Sequence, residues 1–271
     1  MSQDLVLIDR RADGVAVLTL NDEPRLNAMT EAMGGAISGA VAKLREDASV
    51  RAVVLTGAGR AFSAGGDLDM LVRMTQAGNA DRGGPTRAAH RAFMGRFYRS
   101  YLAVRDFPVP TIAAINGPAI GAGLCVALAC DLRIAAREAK LGLNFTKLGI
   151  HPGMAATWTL PRIVGNAIAA ELIYTGRIVG GEEAARIGLA NRAVAREETL
   201  PAALALASEI AAAAPVAVRG AKRSLAMSAG SDIGAQLDQE ASEQALCYES
   251  ADLLEGLAAV KDKREPRFQG N

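Results

Sequence analysis

The chain has few aromatic residues and no excess of charge of either sign. Aromatic residues make up 4% of its 271 residues, and 30 basic residues stand against 29 acidic ones, which gives a net charge of +1. Binding to nucleic acid or to an anionic membrane surface draws on a surplus of positive charge. The composition therefore indicates neither as a partner.

Cysteine and long hydrophobic runs are scarce as well. Cys125, Cys130 and Cys247 show no metal-type spacing, and the first two lie in an apolar helical run, which predicts reduced, buried thiols. No apolar run reaches the roughly 18 residues of a membrane span. The opening residues MSQDLVLIDRR carry charge where a signal peptide has an apolar segment. We predict a soluble cytoplasmic protein with no metal site and no prosthetic group.

Half of the residues are hydrophobic, which is enough for a large core. Strand-then-helix units predict an α/β layered core over residues 1–199, and an almost wholly helical pattern predicts a helical region over 200–271. The predicted strands are Leu5–Ile8, Val15–Leu20, Val53–Leu55, Thr111–Ile115 and Leu132–Ala135. The predicted helices are Thr30–Arg45, Arg87–Arg105, Gly121–Ala129, Leu200–Ala213, Val216–Met227, Ile233–Tyr248 and Leu253–Lys263, with Pro215 separating two of them. Thr75–Thr86 is polar and glycine-rich, which predicts a loop.

Two glycine-rich turns each follow a strand of buried character. They lie in Ala61–Leu68 and Ile115–Asp131, and the second turn opens a helix. The first N–H groups of a helix, here those of residues 121–124, have no partner within the helix. Small residues allow a ligand to approach the backbone closely. Two such N–H groups directed at one carbonyl oxygen would stabilise an enolate or a tetrahedral oxyanion. For each turn alone, tight strand-to-helix packing is the competing interpretation.

Taken together, these turns resemble those of the enoyl-CoA hydratase/isomerase (crotonase) superfamily, and the resemblance covers nearly the whole chain. The other matching segments are Pro24–Ala28, Pro110–Asp131, Lys147–Gly153, Arg162–Gly165, Leu172–Gly176, Ala184–Asn191 and Glu255–Phe268. The resemblance implies a right-handed spiral of ββα units followed by a C-terminal helical trimerisation region. It also implies assembly as a homotrimer or a dimer of trimers.

The resemblance implies a binding site for a coenzyme A thioester, with coenzyme A as part of the substrate. The N–H groups of Gly66 and Ala122 would form the oxyanion hole. The segment of Arg25 and Leu26 would contact coenzyme A, and Lys263 would reach the ligand of a neighbouring subunit. Ala64, Asp67 and Leu68 complete the predicted binding set. The competing interpretation of each cation is a solvated surface charge, and that of Asp67 is stabilisation of its turn.

The catalytic positions depart from the family pattern. Hydratases of this family use two glutamates, and the chain has Cys125 and Phe145 at those positions. The aspartate that some diene isomerases and dehalogenases carry corresponds to Gly153. Neither Cys125 nor Phe145 can take the place of a carboxylate in moving protons. The sequence therefore predicts an atypical member that lacks both usual catalytic glutamates and is not expected to carry out standard two-glutamate hydration.

Other side chains are possible substitutes for the missing glutamates. Cys125 is either a nucleophile with a pKa lowered at a helix N-terminus or an inert packed thiol. His151 is either a base in the loop after Gly149 or a loop-capping surface residue. Asp69, His90 and Tyr98 come from segments that border the acyl pocket in relatives, and Tyr98 is either a site residue or a core residue with a satisfied hydroxyl.

Two classes of function remain open at this point. The first is an enzyme of the hydratase/isomerase family that stabilises an enolate through the oxyanion hole, with an acid or base that the sequence does not identify. The second is a non-catalytic fatty acyl-CoA-binding protein, because Phe145 makes the pocket more apolar. Acyl-CoA thioester hydrolysis is a further alternative. The loop Thr75–Thr86 is expected to gate the acyl pocket.

Overall fold

The computed structural model describes residues 4–77 and 85–271, and its centre is a six-stranded sheet. The strands of the chain are β1 (Val6–Arg10), β2 (Val15–Leu20), β3 (Ala52–Gly57), β4 (Thr111–Ile115), β5 (Ala119–Ile120), β6 (Leu132–Ala136), β7 (Lys140–Gly142), β8 (Val179–Gly180) and β9 (Arg192–Val194). The large sheet has the order β1-β2-β3-β4-β6-β9, and a small second sheet has the order β5-β7-β8. The β1–β2 pair is antiparallel, as the predicted hairpin requires, and the remaining pairs of the large sheet are parallel.

Helices cover both faces of the large sheet. The helices of the described residues are α1 (Glu31–Arg45), α2 (Leu68–Ala77), α3 (Arg87–Leu102), α4 (Ala122–Ala129), α5 (Ala156–Val164), α6 (Asn166–Thr175), α7 (Gly181–Arg186), α8 (Thr199–Ala211), α9 (Pro215–Ser228), α10 (Ile233–Glu249) and α11 (Ala251–Asp262). Within the described residues no single helix is both long and apolar enough to cross a membrane. Arg196–Ala211 and Pro215–Ser228 reach the required length and composition only as a pair, and this pair is bent by 110°.

The parallel strands are apolar on both faces, because each face packs against helices. In β3, Val53 and Leu55 face the main core, whereas Ala52 and Val54 face the opposite side. On that opposite side α8 presents small side chains at a spacing of four residues: Ala203, Ala207 and Ala211. Helix α8 therefore lies directly on the sheet, although it falls beyond residue 199. The division at that residue remains a prediction.

Most predicted elements agree with the structure to within one or two residues, and a few differ. The predicted helix Arg87–Arg105 ends as an α-helix at Leu102 and continues as a 3-10 turn over Ala103–Asp106. Pro215 begins α9 as its first residue, where its missing N–H is not needed. The predicted loop Thr75–Thr86 begins inside α2, which the sequence pattern did not indicate, and residues 78–84 lie outside the described part of the chain.

Candidate active site

The first glycine turn is held by hydrogen bonds from side chains that are distant in sequence. Asn27 Nδ2 donates to the carbonyl oxygens of Ala58 and Ala61, at 3.0 and 2.9 Å. Ser63 Oγ donates to the Asn27 carbonyl at 2.7 Å and accepts the Gly65 N–H at 3.2 Å. Both side chains are fully buried, so these bonds are shielded from water. The turn between β3 and α2 is consequently fixed from beneath.

The second glycine turn begins α4 close to the first. Gly121 has φ 53° and ψ −117°, a conformation that side-chain-bearing residues rarely adopt. A Cβ on Gly123 would lie 2.7 Å from the Ser63 carbonyl oxygen, and a Cβ on Gly65 would lie 2.5 Å from the Ile120 carbonyl oxygen. The two turns therefore pack backbone against backbone, which only glycine permits here.

The N–H groups of Gly66 and Ala122 are free for a ligand. Within residues 4–77 and 85–271, neither donates to another protein group, whereas the neighbouring Gly65 and Gly121 N–H groups bond to Ser63 Oγ and to the Gly142 carbonyl. Ala122 is the first residue of α4, so its N–H has no intrahelical partner and lies at the positive end of the helix dipole. Two N–H donors of this kind can bind a carbonyl oxygen and stabilise the negative charge that develops on it.

Both groups open into one cavity of about 470 Å³ between the two turns and α3. The residues from the sequence analysis that line it are Arg25, Ala64, Gly66, Asp67, Leu68, Asp69, Tyr98, Ala122, Phe145, His151 and Gly153. A larger cavity of about 670 Å³ at α8 and α9 contains none of them. The set that the resemblance suggested is thus mostly gathered at one place.

Four predicted residues do not contribute to the cavity lining that the described residues form: Leu26, His90, Cys125 and Lys263. Leu26 contacts the cavity lining indirectly, because its carbonyl oxygen accepts a hydrogen bond from the N–H of Ala64 at 2.9 Å. Lys263 is exposed at the end of α11, on the surface of the chain. Sequence reasoning did not single out Met94, Phe97 and Asn144, which line the cavity. Met94 and Phe97 are three residues apart on α3, so the helical period was the available signal.

Cys125 is a buried thiol with a raised pKa, which favours the packed-thiol interpretation. It is fully buried, and burial raises the pKa of its thiol to about 12. Its Sγ donates to the Gly153 carbonyl oxygen at 3.7 Å. The prediction of a lowered thiol pKa, which the nucleophile alternative required, is therefore wrong. Cys125 is the fourth residue of α4, and desolvation is the largest influence on its pKa.

The charged residues around the cavity have partners of their own or lie at its mouth. Asp67 Oδ1 accepts the Met70 N–H at 2.6 Å and so begins α2. Arg25 Nε lies 2.8 Å from Asp22 Oδ2 in an ion pair. His151 is exposed, and its Nδ1 lies 2.7 Å from the Pro152 carbonyl oxygen. These contacts favour a local structural role for Asp67.

The inner part of the cavity is formed by neutral side chains. Phe145 is half-buried, and its ring would lie 3.9 Å from a Cβ on Gly121 at the start of α4. Tyr98 is half-buried on α3, and burial raises the pKa of its hydroxyl above the ordinary value, with a smaller contribution from Cys125. In the described part of the chain, no cluster of three or more His, Cys, Asp or Glu side chains could hold a metal ion.

The geometry can be compared with known proteins. The family model described as enoyl-CoA hydratase/isomerase matches residues 10–271. The chain belongs to the enoyl-CoA hydratase/isomerase family. The α/β spiral expected from the resemblance is confirmed, because an enoyl-CoA hydratase from Bacillus anthracis superimposes with a TM-score of 0.89 at 36% identity, covering 98% of this chain and 100% of that one.

Curated members of the enoyl-CoA hydratase/isomerase family are similar over almost the whole length. The mitochondrial enoyl-CoA hydratase domain-containing protein 2 of Bos taurus is 39% identical over 262 residues, which cover 95% of this chain and 85% of that protein. The mitochondrial methylglutaconyl-CoA hydratase of Rattus norvegicus is 37% identical over 262 residues, which cover 95% of this chain and 80% of that protein.

Proposed function

We propose that the chain binds a coenzyme A thioester, with the thioester carbonyl oxygen accepting hydrogen bonds from the N–H groups of Gly66 and Ala122. The observation that carries this proposal is that neither donor has a partner among the described residues and that both open into the same largely apolar cavity. Relatives at 37–39% identity are named as hydratases of CoA thioesters or as proteins with such a domain. An acyl chain fits a cavity lined by residues such as Met94 and Phe145.

The chemistry proposed first is enolate stabilisation. Donors that hold the thioester oxygen lower the energy of the enolate formed when a proton leaves the α carbon. Isomerisation, hydration and decarboxylation all pass through such an enolate. At the two positions that the resemblance assigns to the family glutamates the chain has Cys125 and Phe145, so we infer that proton transfer uses another group.

Two alternatives use the same binding site. A non-catalytic acyl-CoA-binding protein is favoured by Phe145, which replaces a charged group by an apolar surface beside the oxyanion donors. Thioester hydrolysis needs the same donors, because it passes through a tetrahedral oxyanion. Both alternatives predict binding of a saturated acyl-CoA, and they differ in turnover.

We further propose a homotrimer, or a dimer of trimers, in which Lys263 reaches the nucleotide end of coenzyme A bound to a neighbouring subunit. The C-terminal helices support assembly, because Leu225, Leu254 and Val260 are more than two-thirds exposed in the single chain. Arg25 and Lys263 would offer cations to the phosphates. Cytoplasmic location is proposed from the sequence.

The test is to mix the purified protein with crotonyl-CoA, 3-enoyl-CoA and butyryl-CoA and to measure both turnover and binding heat. We expect all three to bind. Ala122→Pro removes one donor at a helix position that tolerates proline, whereas the matched variant Ala122→Gly keeps the N–H. Affinity should fall only in Ala122→Pro. No binding of any thioester would refute the proposal, and binding without turnover would leave the binding protein as the function.

A further inference from the structure

Tyr98 is a half-buried aromatic residue in the wall of the acyl cavity. It lies on α3, and its ring packs edge-on against Phe97, with ring centroids 6.4 Å apart. Phe97 is buried in the main core, so the orientation of the Tyr98 ring is supported from behind. Tyr98 thereby contributes a polar group to the lining of a mainly apolar cavity.

The Tyr98 hydroxyl reaches across the cavity to Gly153. A Cβ on Gly153 would lie 2.5 Å from the hydroxyl oxygen, so the absence of a side chain there makes room for it. Gly153 is itself buried, and its carbonyl oxygen accepts a hydrogen bond from the buried Cys125 thiol. Residues from α3, from α4 and from the loop before α5 therefore place one hydroxyl against the inner end of the cavity.

No hydrogen bond joins this hydroxyl to another group of the described residues, and it is not among their fully buried unpaired polar atoms, so it is accessible from the cavity that Tyr98 lines. Tyr101 on the same helix provides the contrast, since its hydroxyl donates to the Thr30 carbonyl oxygen. Burial keeps the Tyr98 hydroxyl protonated at neutral pH, so it offers a donated hydrogen bond. A bound acyl chain is the group that would enter this space.

The acidic and basic side chains of the lining are placed differently from the Tyr98 hydroxyl. Asp67 accepts a backbone N–H, and Arg25 is paired with Asp22. Asp69 and His151 are exposed at the mouth of the cavity. The Tyr98 hydroxyl instead lies beside the buried Gly153, and the described residues leave its hydrogen-bonding capacity to a ligand.

We propose that Tyr98 is a specificity-determining residue whose hydroxyl donates a hydrogen bond to an oxygen on the acyl chain. The site would then favour hydroxyacyl or ketoacyl thioesters over hydrocarbon ones of the same length. The inference rests on the proposed binding of a coenzyme A thioester. A hydrocarbon chain leaves the hydroxyl without a partner, and an oxygen at the right carbon supplies one, so we expect a preference of about five- to tenfold in Kd.

The experiment measures Kd by calorimetry for butyryl-CoA, 3-hydroxybutyryl-CoA, 4-hydroxybutyryl-CoA and acetoacetyl-CoA. These ligands have the same number of acyl carbons and differ in where an oxygen lies. The variant is Tyr98→Phe, which removes one oxygen and keeps the ring. The matched control is Tyr174→Phe, because Tyr174 is 78% exposed and lies outside the cavity lining that the described residues form.

In the wild type at least one oxygenated ligand should bind about five- to tenfold more tightly than butyryl-CoA. Tyr98→Phe should abolish that ratio, and Tyr174→Phe should preserve it. A purely structural role of Tyr98 would change the affinity for all four ligands together and leave the ratio intact. That outcome, or a wild type that binds butyryl-CoA as tightly as every oxygenated ligand, would overturn the inference while the proposed function stands. Failure of butyryl-CoA and the other three to bind would overturn both.

Discussion

Replacing Gly65 by alanine should damage the oxyanion hole through the backbone. Gly65 has φ +97°, and an added Cβ would lie 2.5 Å from the Ile120 carbonyl oxygen. That carbonyl belongs to the chain just before α4, so relief of the overlap moves one glycine turn away from the other. The Gly66 N–H, the next group along the chain, would move with it.

The expected cost can be worked out by comparison with Gly165→Ala. Gly165 has φ +78° with no atom within 4 Å of an added Cβ, so this variant reports backbone strain alone, about 1–3 kcal/mol. Gly65→Ala adds overlap with a backbone atom, about 1–3 kcal/mol more. At about 2 °C per kcal/mol for a chain of this size, calorimetry should show a Tm loss of about 2–6 °C for the control and about 4–12 °C for Gly65→Ala.

The functional assay separates the two variants further. Loss of one donated hydrogen bond to the thioester oxygen should weaken butyryl-CoA binding by up to about tenfold in Gly65→Ala. Wherever turnover is measurable, kcat should fall by about 100- to 1,000-fold. Gly165→Ala should keep wild-type affinity, since Gly165 lies between α5 and α6, away from the cavity. A Gly65→Ala protein with wild-type affinity and rate would refute the assignment of the Gly66 donor.

Three further results are expected. Iodoacetamide at pH 8 should modify Cys247 before the buried Cys125, because the pKa of the Cys125 thiol is raised to about 12. Peptide mass spectrometry measures the two rates of modification, and equal rates would contradict the prediction. Phe145→Glu should add slow 3-enoyl-CoA isomerisation, because it places a carboxylate base in the cavity that holds the oxyanion donors; a folded but inactive variant would show that a base at this position is insufficient. Glu255 pairs with Arg264, and its pKa is lowered to about 2. Its contribution to stability is therefore full above pH 4.5 and is lost as the pH falls towards 2. Glu255→Gln should flatten that part of a curve of Tm against pH, and an unchanged curve would argue against the pair.

Local features of the chain were predictable because their causes lie within a few residues. Thr30 begins α1 by accepting the Met33 N–H, and the hairpin β1–β2 turns at Gly14 with φ +83°. The turns at Gly65 and Gly121 were predictable for the same reason. Both residues have a positive φ, which glycine adopts readily, and a glycine is identified directly from the sequence. The free N–H of Ala122 followed from the start of a helix.

Contacts between distant segments could not be derived in this way. The hydrogen bonds of Asn27 and Ser63 that hold the first turn join residues 31–36 positions apart. The sequence pattern assigns α8 to the C-terminal helical region, yet α8 packs on the sheet, because its alanine stripe fits against the valine, isoleucine and alanine side chains of that face. No pattern within a single segment indicates such a match.

The sequence by itself determined the family, the α/β class and the two backbone turns that supply the oxyanion donors. The tertiary structure decided the character of the side chains around them. Cys125 has a raised pKa because its surroundings exclude water, and the Tyr98 hydroxyl faces the cavity because Gly153, 55 positions later, leaves it space. Desolvation and steric room depend on which segments meet, and the fold alone brings those segments together.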